Sequence, residues 1–432
     1  MEMAKRRTFF KFVIPSVVAF ALSGVYAIVD GFFVGNTMGD VGLSAINIAY
    51  PIVAVLQSVG TGIGMGGAVY YSINSAEGNR KRAGEFIASA WWLLLIASAA
   101  LTCFTFFFAS PILKLLGAQG SILMYATEYT KIIALGAGLQ ILGTGLVPFI
   151  RNYGGSFWAM FAMASGFVTN MILDYLFVWV YDQGMSGAAI ATIVGQGVTM
   201  LIAIAYSLKK KRFFLHASIN HCGEICRSIF KVGLAPFGLA LTPNLSLILI
   251  NRFSASYGGD NAIATYACIS YIICIIYLIL QGVGDGSQPL MSRYYGEKRE
   301  NDLEATQRMA YRFAVFLALI GCAVMLLGRW HVGRLFGSSE EVNIEVAKII
   351  PIFLVSIPFV AITRITTAGF YATEKAMLSY ILTFIEPILM LVFMLILPPL
   401  FGGQIMIWWS TVFARIVAAF LALALTKRKR KR

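Results

Sequence analysis

The sequence predicts an all-α polytopic membrane protein: twelve transmembrane helices in two six-helix lobes related as parallel repeats. Three observations carry that expectation. First, 59% of the 432 residues are apolar and only 12% are charged, about half the charged share of a soluble domain. Most of the surface must therefore face lipid. Second, the chain divides into apolar runs of about 20 residues, the length that crosses a bilayer, separated by short basic bursts. Third, one phrase occurs twice. Gln57, Val59, Gly60, Gly62, Tyr70 and Tyr71 recur as Gln281, Val283, Gly284, Gly286, Tyr294 and Tyr295, all at an offset of 224. Phe10-Lys11 with Pro15 likewise returns as Phe230-Lys231 with Pro236. A repeat of half the chain is far longer than a solenoid period and marks two homologous membrane halves.

The expected spans are 12–34, 43–72, 85–109, 123–149, 157–180, 185–208, 229–253, 262–288, 309–328, 346–371, 376–398 and 405–426. The first follows Lys5-Arg6-Arg7 as a signal peptide would. It is too long for one and lacks a small-residue cleavage site, so it is expected to stay. Charge tests the count. With the N-terminus inside, 26 of the 34 lysines and arginines fall in cytoplasmic segments and five in external ones. That bias is the positive-inside pattern, and a missed or extra helix would scramble it. Both termini are therefore expected in the cytoplasm. The expected domains are a lobe at 1–208, a basic cytoplasmic linker at 209–228, a lobe at 229–426 and a basic tail at 427–432. Because each lobe has an even number of spans, both enter from the same side.

The net charge of +14 belongs to those flanks and does not imply nucleic acid. The tail reads as a topology anchor that meets anionic lipid. The six cysteines imply no disulfide framework. Cys222 and Cys226 share a segment with His216 and His221, but the spacing matches no strong zinc pattern, and no metal is expected. Prolines inside the spans, among them Pro15, Pro51, Pro236 and Pro387, permit bends where neighbours satisfy the freed backbone.

Charged groups inside spans are costly and are functional candidates by default. Asp30 and Asp174 each lie about 18 residues from the cytoplasmic start of spans that run the same way, which is about 27 Å at 1.5 Å per residue. They are expected at one height, toward the external side. Tyr26 precedes Asp30 by one turn, and Asn170 precedes Asp174 by one turn. Two carboxylates with an amide and a phenol at one depth suit a proton or sodium ion. The bland alternative puts both aspartates in water at the outer interface. The second half does not copy the site, because Asn251 stands at the position equivalent to Asp30. Glu386 and Arg415 are both expected near the midplane. They either neutralise each other, with Arg364 as a competing partner, or leave Glu386 to bind cations. Asp285, near the cytoplasmic end of its span, is expected to snorkel to the interface.

With these residues in view, the chain resembles the multidrug and toxic compound extrusion (MATE) family of prokaryotic type. The likeness covers nearly the whole chain. It lies in I-P-S and Y-A-I-V-D-G-F-F-V-G-N-T-M-G of the first span, and in F-I-R-N-Y-G-G, T-N-M-I-L-D-Y-L-F-V and G-M-S-G-A-A-I-A-T of the centre. Q-P-L-M-S-R-Y-Y-G-E-K-R repeats it in the second half. The resemblance implies antiport of organic cations or amphipathic drugs against H⁺ or Na⁺ by alternating access. It also implies an inner-membrane location and a site formed by Tyr26, Asp30, Asn170, Asp174 and Thr192, with Pro15 as the hinge of the first span. Two departures stand out. Val147 replaces an asparagine common in the family, and Glu386 stands where relatives often carry a basic or polar residue. No cofactor beyond the coupling ion is expected. Small amphipathic molecules and membrane lipid are the expected partners, nucleic acid is not, and the chain is expected to be a monomer.

Other classes fit less well. A lipid or lipid-linked-precursor flippase of the same superfamily would want a cationic cavity. A membrane enzyme would need clustered nucleophiles, bases or metal ligands within the spans. His216, His221 and His331 all lie outside them, and no H-E-x-x-H or G-x-S-x-G motif occurs. No P-loop points to an ATP-driven pump, and a channel does not need a one-sided acidic site.

Overall fold

An apolar run in lipid finds no water for its backbone, so it must close its hydrogen bonds within itself as a helix. The chain does this throughout. The computed structural model describes residues 2–212, 221–335 and 339–430, and among them there is no strand. The helices are α1 (Met3–Gly39), α2 (Val41–Ala76), α3 (Arg80–Leu115), α4 (Gly120–Leu135), α5 (Ala137–Asn152), α6 (Ser156–Val180) and α7 (Gly184–Lys209). They continue as α8 (Cys222–Tyr257), α9 (Gly259–Gly296), α10 (Glu300–Leu335), α11 (Glu340–Ala372), α12 (Ala376–Phe401) and α13 (Gly403–Arg430). Among the described residues eleven helices are each long and apolar enough to cross a membrane, and the bent pair α4–α5 makes a twelfth when counted as one span. Residues 213–220 of the expected linker, which include His216, and residues 431–432 of the basic tail lie outside the described residues.

Glycines, not prolines, mark the sharp breaks. The backbone between α1 and α2 leaves helical values at Gly39, with φ 61° and ψ −153°, a left-handed φ that a side chain would strain. The expected span 123–149 bends by 59° between α4 and α5, at Gly136, whose missing side chain makes room for Ile193 of α7. Pro15 and Pro51 sit inside helical backbone.

By its contacts the chain forms two units. One comprises Met1–Leu241 and Ser292–Glu300, the other Thr242–Met291 and Asn301–Arg432. In the first unit α2 is deeply buried, while α1 and α3 turn large apolar side chains such as Phe32, Ile96 and Phe107 outward. Outward-facing phenylalanine and isoleucine on a long helix are what lipid contact requires. In the second unit α13 packs against α11 and α12, while Leu327 of α10 and Phe420 of α13 are exposed.

The repeated glycines serve helix contact, though unequally. A Cβ on Gly60 of α2 would lie 2.6 Å from Ile141 O and 3.1 Å from Ile141 Cα, both backbone atoms of α5. Its counterpart Gly284 would bring a Cβ only to 3.3 Å from the Ala368 side chain. Backbone cannot rotate away as a side chain can. Gly60→Ala is therefore expected to cost at the upper end of the roughly 1–3 kcal/mol of overpacking, and Gly284→Ala much less. Thermal unfolding of the two purified variants checks this, and equal midpoints would contradict it.

Candidate functional site

Three helices of the first unit carry the residues singled out on the sequence. Tyr26 and Asp30 lie one turn apart on α1, Asn170 and Asp174 one turn apart on α6, and Thr192 on α7. The fold brings all five together. The Asp30 and Asp174 carboxyl groups meet each other. Asn170 Nδ2 donates to Thr192 Oγ1 at 3.5 Å, and that hydroxyl donates to Ala188 O at 3.0 Å. The Tyr26 ring is held by stacking on Phe167, with centroids 5.2 Å apart and planes 13° apart. Asp174 is 1% exposed and Asn170 2%, while Tyr26 and Asp30 are half-buried. Asp174 is enclosed by protein.

The hydrogen-bond balance of the pair is unusual. Among the described residues, no N–H or O–H group donates to Asp30 Oδ1, to either oxygen of Asp174 or to Asn170 Oδ1. Buried polar atoms nearly always have a partner. Ionised carboxylates are acceptors only, so two that face each other out of water repel. A proton shared between them, or a small hard cation among these oxygens, removes the conflict. The oxygens of these residues fit both.

Helix α6 changes character at this point. From Tyr175 to Val180 it is a π-helix, with Tyr181 N–H bonding back to Leu176 O at 2.8 Å. The wider turn begins at the residue after Asp174, and π turns are frequent at functional sites.

One residue of the site was not found on the sequence. Tyr129 of α4 is 4% exposed, and its hydroxyl approaches the Thr192 hydroxyl beside the two aspartates, as the Tyr26 hydroxyl does. The available signal was a phenol inside an apolar span.

The second unit holds a separate polar network. Arg415 Nε donates to Glu386 Oε1 at 3.0 Å, with side-chain exposures of 4% and 20%. Arg415 Nη1 donates to Ser356 Oγ at 3.3 Å, and the guanidinium lies 5.1 Å from the Tyr277 ring centroid. Arg364 Nη1 donates to Gln281 Oε1 at 3.2 Å, Gln281 Nε2 to Asp285 Oδ1 at 2.8 Å, and Tyr371 Oη to the same oxygen at 3.0 Å. Asp285 is thus 3% exposed and turned inward to α11. The expectation that it snorkels is corrected, because an amide and a phenol inside the unit replace the water it would have sought.

Pro15, the expected hinge, lies on α1 fifteen residues before Asp30, within regular helix. Cys222 and Cys226 approach to 3.9 Å between sulfurs, and no three His, Cys, Asp or Glu side chains form a metal cluster among the described residues.

Comparison with known proteins decides the family. The MatE family model matches residues 15–176 and 239–396, one stretch in each half of the chain. The chain belongs to the MatE family. It is 25% identical over 424 residues to the multidrug export protein MepA of Staphylococcus haemolyticus, covering 98% of this chain and 93% of that one. The MepA of Staphylococcus saprophyticus is 26% identical over 425 residues with the same coverage. Among solved structures, an outward-facing multidrug resistance MATE family transporter of the MOP superfamily superposes with a TM-score of 0.91 at 22% identity, covering 98% of this chain and 96% of that one. A MOP superfamily transporter from Pyrococcus furiosus, described by a reversed polarity of its binding pocket, gives the same values. At that identity these structures establish the fold, and the MatE chain is a multi-pass membrane protein with the two-lobe MATE architecture.

Proposed function

We propose that this chain is a secondary active multidrug efflux transporter. It exports organic cations or amphipathic drugs in exchange for H⁺ or Na⁺ by alternating access. The observation that carries the coupling is the Asp30–Asp174 pair: a half-buried and a buried carboxyl group meet, and three of their oxygens are enclosed and receive no hydrogen bond among the described residues. Such a pair takes up a proton or cation readily, and its net charge changes when it does. A ligand can drive a conformational change only through different affinities for the two states. Ion uptake neutralises the pair, favours the state that closes α1 over it and lowers affinity for substrate on the outside. Substrate arriving from the inside favours release of the ion. The name of the MepA relatives supports multidrug export, and the distribution of basic residues supports cytoplasmic termini in the inner membrane. The chain works as a monomer surrounded by lipid.

The test is efflux of a fluorescent cationic dye from drug-sensitive bacteria expressing the chain. A protonophore is added in one arm and sodium is removed in another. Collapse with the protonophore alone assigns H⁺, and collapse without sodium assigns Na⁺. A well-expressed chain that moves no dye under any condition would overturn drug efflux and favour a lipid flippase.

Tyr129 takes part in the same reading. Tyr129→Phe removes one hydroxyl from the group around Thr192, and a net hydrogen bond is worth about 0.5–1.5 kcal/mol. Efflux is expected to fall by up to about tenfold with expression unchanged. Rates matching the native chain would remove Tyr129 from the site.

A further inference from the structure

The second unit contains a cavity that the transport reading does not use. It lies where α9, α11 and α13 begin, at the end of α13 far from Lys427. Its volume is ≈ 240 Å³, and Asn261 and Thr265 of α9, Glu341 and Glu345 of α11, and Gln404 and Trp408 of α13 line it. The floor is the Trp408 indole, 2% exposed and stacked on Tyr266 at 5.8 Å and 23°.

The lining is one-sided in charge and in hydrogen bonding. Glu341 and Glu345 stand one turn apart on the same face of α11, and neither joins an ion pair among the described residues. The nearby Arg334 is engaged by Glu340 at 3.2 Å. Asn261 Nδ2 donates to Glu341 Oε1 at 3.4 Å. Gln404 spends its Nε2 on Ser254 Oγ at 2.9 Å, which leaves Oε1 buried with nothing donating to it. Thr265 is 0% exposed and its hydroxyl has no partner among the described residues. A hydroxyl on a helix ordinarily bonds back to the preceding turn, and an orphaned one on a cavity wall is costly unless the cavity's occupant meets it.

We propose that this cavity binds a small organic cation bearing N–H groups, a primary or secondary alkylammonium. The two carboxylates supply the charge, Gln404 Oε1 and Thr265 Oγ1 accept N–H donors, and the alkyl part rests on the Trp408 indole. An anion would meet only like charge there. A bare metal ion would find two carboxylates and far more space than it fills. A quaternary ammonium would bring charge but no donor for Gln404 and Thr265. The site belongs to the second unit and owes nothing to Asp30 or Asp174.

Calorimetric titration of the purified full chain in detergent tests this with butylammonium, tetramethylammonium and calcium chloride as probes. Butylammonium is expected to bind saturably. Glu345→Gln and the near-isosteric Thr265→Val are each expected to weaken it by about tenfold, the loss of one hydrogen bond to a charged group. Tetramethylammonium should bind at least about tenfold more weakly than butylammonium for the same reason. Thermal unfolding confirms that Glu345→Gln and Thr265→Val remain folded. Absence of butylammonium binding, equal binding by native protein and both variants, or displacement of butylammonium by calcium at equal concentration would overturn the proposal.

Discussion

Asp30→Asn is expected to abolish efflux while leaving the protein as stable as the native chain, or more so. The two halves of that expectation have one cause. Asparagine fills the same volume as aspartate but cannot exchange a proton near neutral pH and offers no charge to a cation. The coupling step therefore disappears, and dye efflux should fall to that of cells lacking the transporter. The same amide brings an N–H donor to Asp174, whose two oxygens have none among the described residues. Supplying a donor to a buried unsatisfied acceptor recovers about 1–3 kcal/mol. Efflux assays and thermal unfolding on one preparation separate function from folding. Retained efflux in a folded Asp30→Asn protein would refute the coupling role of the pair, whichever ion is used.

The second large effect concerns Glu386 and Arg415, where the prediction is structural. Arg415 is almost wholly enclosed and holds Glu386, Ser356 and the face of Tyr277 together. Arg415→Gln leaves the Glu386 carboxylate facing an uncharged amide in a low-dielectric bundle. Removing one partner of a buried ion pair costs about 3–5 kcal/mol, whereas replacing both with neutral groups is often close to neutral. Arg415→Gln should therefore lower the unfolding midpoint sharply and reduce the amount of folded protein in the membrane. Adding Glu386→Gln to it should restore most of the loss. An Arg415→Gln protein as stable as native, or a double variant no better than the single, would show that the contact contributes little. The geometry favours mutual neutralisation over a free Glu386 that makes the lobe acidic, since the nearest guanidinium already compensates its charge.

These cases show where sequence reasoning reached and where it stopped. The spans were legible because hydrophobic length and flanking charge are local properties, and the bilayer translates them directly into helices. Asp30, Asn170 and Asp174 were legible one by one because polar groups in apolar runs are rare and expensive, whereas Thr192 came only with the family resemblance. Tyr129 was not, because a phenol is common in membrane helices and its place beside Thr192 depends on how α4 packs against α7. The bend at Gly136 escaped for a similar reason: the space a side chain would need there is taken by Ile193, a residue of another helix. Asp285 was misread because its distance along the helix suggested the interface, whereas the rotation of the helix about its axis points the carboxylate at Tyr371. Depth can be counted from a sequence, but rotational phase between helices cannot.

The π-helix after Asp174 has a consequence for how this chain is compared with its relatives. A π turn is an α-helix that has accommodated one residue more than its ladder needs. Residues beyond it are displaced by one position, about 100° around the axis, from where an uninterrupted helix would put them. A relative without the extra residue would align without a gap by hydropathy alone, yet would show a different face from Tyr175 onward. An alignment with such a relative would carry a one-residue gap inside a transmembrane helix, and residues paired across that gap by position in the chain would not be equivalent in space.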